Sequence, residues 1–72
     1  MMKFYKSSSN GVEFRAVIEE TRLGYYAVSV KARMAYGQYY YDWYGKPGGY
    51  STEDGALKAL KRHYKGMRWQ EE

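Results

Sequence analysis

The chain has 72 residues, no cysteine and a formal net charge of +4, from 12 lysine and arginine and 8 aspartate and glutamate side chains. A domain of this size buries a small core, so a deep active-site cleft is not expected, and the absence of cysteine excludes disulfides and thiolate metal sites. No apolar run is long enough to cross a bilayer and the first residues lack the pattern of a secretion signal, so we expect a cytoplasmic protein with no membrane contact.

The N-terminal pattern predicts two strands of a sheet. Residues 2–6 form a short first strand, and Ser7–Gly11 is a turn cluster whose Asn-Gly pair tolerates positive φ angles. Residues 12–19 alternate, which predicts a half-buried second strand. One face of it carries Val12, Phe14, Ala16 and Ile18, and the other carries Glu13, Arg15, Val17 and Glu19. The first strand pairs either within the chain or with a second copy, and an unpaired edge would favour a homodimer.

A third strand is predicted over residues 25–34 and a fourth over 39–44. The turn at 20–24 precedes the third strand, which alternates and should turn its apolar set toward a helix. That apolar set is Tyr26, Val28, Val30, Ala32 and Met34. A further turn at 36–38 leads into the fourth strand, which ends at 45–49 because proline and glycine break strand pairing.

The fourth strand is rich in aromatic residues, and its two faces have different predicted roles. Strict alternation places Tyr39, Tyr41 and Trp43 on one face, opposite a second set. That second set is Tyr40, Asp42 and Tyr44. One set should complete the core beneath the helix. The other should stand on the open sheet, where large rings either cover the surface or form a platform for base stacking or protein contact.

The last third of the chain predicts one helix over residues 52–65. Ser51 or Thr52 can cap its start and Gly66 its end. Its apolar arc contains Ala56, Leu57, Ala59, Leu60, His63 and Tyr64, and its opposite side contains Lys58, Lys61, Arg62 and Lys65. The helix dipole also favours cations near this end, which is a purely structural reason for them. The tail 67–72 should be irregular, with Met67 or Trp69 folding back over the helix end.

Together these elements predict a single α+β domain, an antiparallel three- to four-stranded sheet with one C-terminal helix packed on one face. The domain then has two basic outer surfaces on opposite sides, one on the sheet and one on the helix. A flat duplex cannot easily contact both, so nucleic-acid binding would use one of them.

Three segments resemble AP2-like domains, which include the arm-type DNA-binding domains of phage and transposon integrases. They are Leu23–Ala32, Tyr39–Gly45 and Gly49–Leu60, and the resemblance covers roughly residues 12–65. It implies a three-stranded sheet that enters the major groove of duplex DNA. On this resemblance the contacts to nucleic acid are Arg15, Lys31, Arg33, Tyr39 and Tyr41.

Some residues depart from that pattern. Glu13, Glu19 and Asp42 lie on or near the strands that would face phosphate, where carboxylates repel the nucleic-acid backbone. The step into the helix also resembles that of double-stranded-RNA-binding domains. In this chain, however, Glu53 and Asp54 stand where those domains place lysines.

No pattern in the chain indicates catalysis. His63 is the only histidine and belongs to the apolar arc, and a metal ion would need more ligands. The acidic pairs at 19–20 and 53–54 border a turn and a helix start. We therefore expect no enzymatic activity, no cofactor and no metal site.

Two functional classes remain, beside a purely structural or homodimeric role. The favoured one is a non-catalytic nucleic-acid-binding domain, with duplex DNA as the expected ligand. It would use the sheet residues named above or, alternatively, Lys58, Lys61, Arg62 and Lys65 on the helix. The other is a small phage- or mobile-element-type interaction module or inhibitor that contacts a protein partner through a tyrosine-rich sheet face.

Overall fold

Five antiparallel strands and one helix make up the fold, in a computed structural model that describes residues 1–72. The elements are β1 (Met2–Ser9), β2 (Val12–Glu20), β3 (Tyr26–Met34), β4 (Tyr40–Tyr44), α1 (Glu53–His63) and β5 (Gln70–Glu71). The strand order is β4-β3-β2-β1-β5, and α1 packs on one face of the sheet. The predicted two-layer α+β fold is confirmed, with five strands rather than three or four.

A two-residue turn at Asn10 and Gly11 joins β1 to β2. Both residues have positive φ angles, 51° and 78°, as a tight hairpin with matching twist requires. Pairing therefore continues up to Ser9 opposite Val12, so the expected turn over the whole of Ser7–Gly11 was wrong for its serines. The first strand pairs within the chain, which removes the reason for expecting a dimer through it.

The core lies between α1 and the sheet, mainly against strands β2 and β3. Ile18, Val30 and Leu60 are its largest fully buried side chains. The predicted alternation of β2 and β3 is confirmed along most of both strands, since Ala16, Ile18, Val28, Val30 and Ala32 are buried while Arg15 and Lys31 are exposed on the opposite face. The expectation was wrong for Met34, which is 63% exposed at the end of β3. The other members of the buried cluster are Tyr5, Ala56 and Tyr64. At eleven residues, α1 lacks the length and apolar character of a membrane-spanning helix.

A bulge interrupts β4 and changes the faces of its aromatic residues. Trp43 pairs with Val30, whereas Tyr41 pairs with Lys31, so Asp42 is the extra residue between them. Trp43 consequently lies on the helix side and stacks on His63 at a ring-centroid distance of 4.4 Å. Strict alternation was therefore wrong, because Tyr41 and Trp43 lie on opposite faces.

The helix is shorter than predicted at both ends. Thr52 is its N-cap, and its Oγ1 accepts a hydrogen bond from the Gly55 N–H at 3.0 Å. Tyr64 rather than Gly66 is the C-cap, because its backbone leaves the helical region while its ring enters the core. Gly66, with φ of 83°, instead turns the chain into the tail.

The tail is more regular than expected. Gln70 pairs with Lys6 and Glu71 with Tyr5, which adds β5 to the outer edge of β1. The predicted fold-back is confirmed, since Met67 and Trp69 both pack against the core. Edge pairing explains the difference, because β1 offers unpaired backbone groups that a short tail can satisfy.

Candidate nucleic-acid interface

The face of the sheet opposite α1 is uncovered, and three cations stand side by side on it. Lys6 pairs with Arg15 across β1 and β2, and Arg15 pairs with Lys31 across β2 and β3. We call these three residues the cation row. All three are exposed. Like charges directly opposite each other destabilise a sheet, and Glu13 and Glu72 offset this by pairing with Arg15. Lys6 and Lys31 have no carboxylate partner, so they suit an anionic ligand.

Exposed aromatic rings border the cation row. Lys31 pairs with Tyr41 on β4, and its Nζ lies 4.9 Å from the centre of that ring. The neighbouring row of the same face runs from Phe4 through β2 and β3 to Tyr44. Phe4, Tyr41 and Tyr44 are 45%, 54% and 61% exposed. Flat apolar rings therefore stand beside positive charge, an arrangement that suits bases linked by phosphates.

Tyr41 and Tyr44 lie on one face only because of the bulge. Their rings stack with centroids 4.9 Å apart and an interplanar angle of 23°. With regular alternation, residues three apart in a strand would point to opposite faces. The extra residue in β4 thus places two stacked aromatic rings, rather than one, at the end of the cation row.

Glu13 lies on the same face and organises three of the predicted site residues. Its carboxylate accepts hydrogen bonds from the Tyr39 hydroxyl at 2.6 Å, from Arg15 Nε at 3.1 Å and from Arg33 Nε at 3.2 Å. The bonds from Tyr39 and Arg15, followed by that from Arg33, lower the pKa of Glu13 to about 2. The carboxylate therefore keeps its charge and holds both arginines at this end of the sheet.

This arrangement changes the expected effect of Glu13 on an anionic ligand. From the sequence we expected its carboxylate to repel phosphate. In the structure two guanidinium groups flank it, and each binds it through Nε alone. The Nη groups of Arg33 have no carboxylate partner, and Arg15 Nη1 lies 3.5 Å from Glu72 Oε1. Arg33 can therefore still donate to an added anion.

Glu19 and Asp42, the two other carboxylates that we expected to repel phosphate, are arranged differently. Glu19 stands on the open face opposite Met2, at the end of the sheet away from Glu13. Asp42 lies in the bulge and accepts a hydrogen bond from the Tyr64 hydroxyl at 2.6 Å. Burial, and then the hydrogen bond to Asp42, raise the pKa of Tyr64 well above its usual value. Asp42 is thus used in joining β4 to the helix end.

The structure brings all the predicted sheet residues to one face. Arg15 and Lys31 belong to the cation row, Arg33 and Tyr39 surround Glu13, and Tyr41 ends the row. Sequence reasoning missed Lys6, Phe4 and Tyr44. The two-residue turn could have revealed the first two, because it fixes Ser9 opposite Val12 and hence Lys6 opposite Arg15 and Phe4 opposite Val17.

The alternative set lies on the other side of the domain. Lys58 Nζ forms an ion pair with Asp54 Oδ2 at 3.0 Å, whereas Lys61, Arg62 and Lys65 are exposed and have no ion-pair partner. Lys61 and Arg62 belong to the last helical turn, where the dipole favours cations. This side of α1 carries no tyrosine, tryptophan or phenylalanine, so it offers charge without a stacking surface.

The remaining candidate for chemistry is His63, which is exposed. It stacks on Trp43 and meets Tyr64 edge-on with a centroid distance of 4.8 Å. These contacts give it a packing role at the helix end. No group of three histidine, aspartate or glutamate side chains in the structure is placed to hold a metal ion.

Comparison with protein-family models, with curated proteins and with solved structures finds no match to this chain. The resemblance to AP2-like domains stays a prediction.

Proposed function

We propose that this chain is a non-catalytic nucleic-acid-binding domain, cytoplasmic in location, that binds a single-stranded segment on the open face of its sheet. The observation that carries the proposal is the strand register, which sets Lys6, Arg15 and Lys31 side by side next to the exposed rings of Tyr41 and Tyr44. Phosphates would contact the cations and bases would stack on the rings.

The width of the sheet favours a single strand over insertion into a duplex. Neighbouring strands lie about 4.8 Å apart, so β1 to β4 span about 14 Å between backbones alone. The major groove of B-DNA is only about 12 Å wide, which is less than this span. Exposed rings also need unpaired bases to stack on, and a duplex does not offer these. Duplex DNA was the ligand expected from the sequence, and it is now the ligand against which single-strand binding is compared.

Fluorescence anisotropy with labelled single-stranded DNA, single-stranded RNA and duplex DNA tests the proposal across a salt series. Contacts of the cation row with about three phosphates predict a slope of log K against log salt near −2 for single strands, since each contact contributes about −0.7. Stronger binding to duplex than to either single strand would contradict the stacking argument.

Charge reversal at matched positions identifies the face. Lys31→Glu should weaken single-strand binding at least tenfold, whereas Lys61→Glu, the same change on α1, should cost less than threefold. The reverse order would assign binding to the helix set.

Tyrosine substitutions separate stacking from charge. Base stacking contributes about 1–3 kcal/mol per base, so Tyr44→Ser should weaken binding roughly fivefold or more without changing the salt slope. Tyr36→Ser is the matched control, because Tyr36 is fully exposed in the loop after β3. Equal effects of the two substitutions would refute a role for the ring pair.

A protein-interaction module is the second candidate, of the small phage- or mobile-element type. It is supported by Met2, which is 51% exposed on the same open face as Phe4, Tyr41 and Tyr44. Such a surface favours a protein partner whose binding changes little with salt. Failure of every nucleic acid to bind near physiological salt would favour this candidate.

A further inference from the structure

A cleft of about 810 Å³ lies at the outer edge of β1, beside the open face. One wall is residues 6–9, and the other is residues 66–70 of the tail. Glu13 and Arg15 reach it from β2. Lys6 thus belongs both to the cleft and to the cation row, so the two surfaces are continuous.

Backbone groups at this edge are free because β5 is short. The Glu72 N–H donates to the Phe4 carbonyl, so even-numbered residues of β1 direct their backbone groups away from β2 and toward the tail. The pairing of β5 ends at Lys6 opposite Gln70. Ser8 is the next residue with this orientation, and no tail residue pairs with it. Its N–H and carbonyl therefore face the cleft.

The side chains of the cleft favour an anion. Lys6 and Arg68 line it and have no ion-pair partner, while Arg15 is shared between Glu13 and Glu72. Glu13, the carboxylate that lines the cleft, is already bound to Arg15, Arg33 and Tyr39. Ser7, Ser8 and Ser9 also line the cleft, and alternation along β1 places the Ser8 side chain on the same face as Lys6. Two unpaired cations, the Ser8 hydroxyl and a free backbone N–H form a donor set suited to phosphate.

We propose that this cleft binds the terminal phosphate of the nucleic-acid strand that lies along the cation row. The proposal rests on the proposed function and deepens it by giving the strand an end-recognition site. A phosphate monoester carries a charge of about −1.5 to −2 near neutral pH, whereas an internal phosphodiester carries −1. The free charges of Lys6 and Arg68 match the monoester, and Lys6 directs the following phosphates onto the row.

The test compares one single-stranded oligonucleotide with a 5′-phosphate, with a 3′-phosphate and with neither. One phosphorylated form should bind about tenfold more tightly than the unphosphorylated form. An unphosphorylated oligonucleotide that is one nucleotide longer adds an internal charge without a monoester, and it should gain less than twofold. An equal gain from the longer oligonucleotide would mean general charge attraction and would overturn the proposal.

Variants locate the effect in the cleft. Arg68→Gln should reduce the preference for the phosphorylated end to about twofold or less while changing the affinity for the unphosphorylated strand less than twofold. Lys65→Gln, which also removes one positive charge but lies outside the cleft, should leave the preference intact. Ser8→Pro removes the N–H at a strand edge, where proline is tolerated, and should reduce the preference about threefold.

The outcomes separate the two proposals. Equal binding of the phosphorylated and unphosphorylated strands, or a preference that Arg68→Gln does not reduce, overturns end recognition while the binding itself upholds the proposed function. Absence of binding to every oligonucleotide overturns both proposals. A phosphoserine peptide that competes better than the phosphorylated oligonucleotide would also overturn the assignment, because the cleft would then serve a protein ligand.

Discussion

Replacing Tyr64 with phenylalanine removes a hydroxyl that joins the end of α1 to the bulge of β4. The hydroxyl donates to Asp42 Oδ2 at 2.6 Å, and the tyrosine is only 9% exposed. Its pKa is raised by burial and then by the hydrogen bond to Asp42, so the hydroxyl can donate at neutral pH and stays protonated to a higher pH than an ordinary tyrosine.

The magnitude follows from the environments of the two partners. Hydrogen bonds to charged groups contribute about 1.5–3 kcal/mol, and the lower end applies here because Asp42 is exposed and regains water when the bond is lost. We expect a loss of about 1.5 kcal/mol in the free energy of unfolding. For a domain of this size, that loss corresponds to a decrease in Tm of roughly 6–12 °C.

Urea unfolding followed by circular dichroism measures the loss, and a double-mutant cycle with Asp42→Ala isolates the pair. The coupling energy should be about 1 kcal/mol. Tyr44→Phe is the matched control, because its exposed hydroxyl has no hydrogen-bond partner within the protein, and it should change stability by less than about 0.5 kcal/mol. A coupling energy near zero would refute the hydrogen bond as the link between helix and bulge, whatever the single variants do.

Three further predictions concern the glycine turn, the core and the acid range. Gly49→Ala should destabilise by about 2 kcal/mol or more, since φ is 90° and the new Cβ would lie 3.0 Å from the Tyr26 backbone. Gly48→Ala, with φ of 84° and open space, should cost about 1 kcal/mol in the same urea assay. Leu60→Ala should lower the unfolding free energy by about 2–4 kcal/mol, because the side chain is fully buried, and a loss below 1 kcal/mol would contradict its central place. The pKa of Glu13 is lowered from 4.5 to about 2, so its contribution to stability is present above pH 4.5 and is lost as pH falls through 2. Glu13→Gln should reduce the change of the urea midpoint with pH between these two values. If the midpoint of the variant changes with pH as steeply as that of the unmodified protein, Glu13 is not the source of the dependence.

Much of the fold could be predicted because neighbouring residues determine it. The alternation of β2 and β3 identified the buried face, and Thr52 marked the start of α1. Asn10 and Gly11 form a two-residue turn that determines the register of β1 against β2. For the candidate site, this local information suffices to place Arg15 and Lys31 on one exposed face.

The bulge in β4 and the short strand β5 complete the candidate site, and neither could be predicted from the pattern of neighbouring residues. At the bulge, Trp43 stacks on His63 and Asp42 accepts a hydrogen bond from the Tyr64 hydroxyl, and these contacts join segments distant in the chain. Likewise, β5 has only two residues and no period, so nothing in Gln70–Glu71 predicts a strand until β1 offers it a free edge.

In β2 and β3 the sequence by itself determined which residues point toward the helix and which toward solvent, since side-chain direction in a strand without a bulge follows from position alone. Only the tertiary structure decided what the exposed residues meet. It made Glu13 a common acceptor for Arg15, Arg33 and Tyr39, where the sequence indicated a carboxylate repelling phosphate. The physical reason is that hydrogen bonds and ion pairs act over a few ångströms, and which side chains come that close depends on strand pairing across the whole domain.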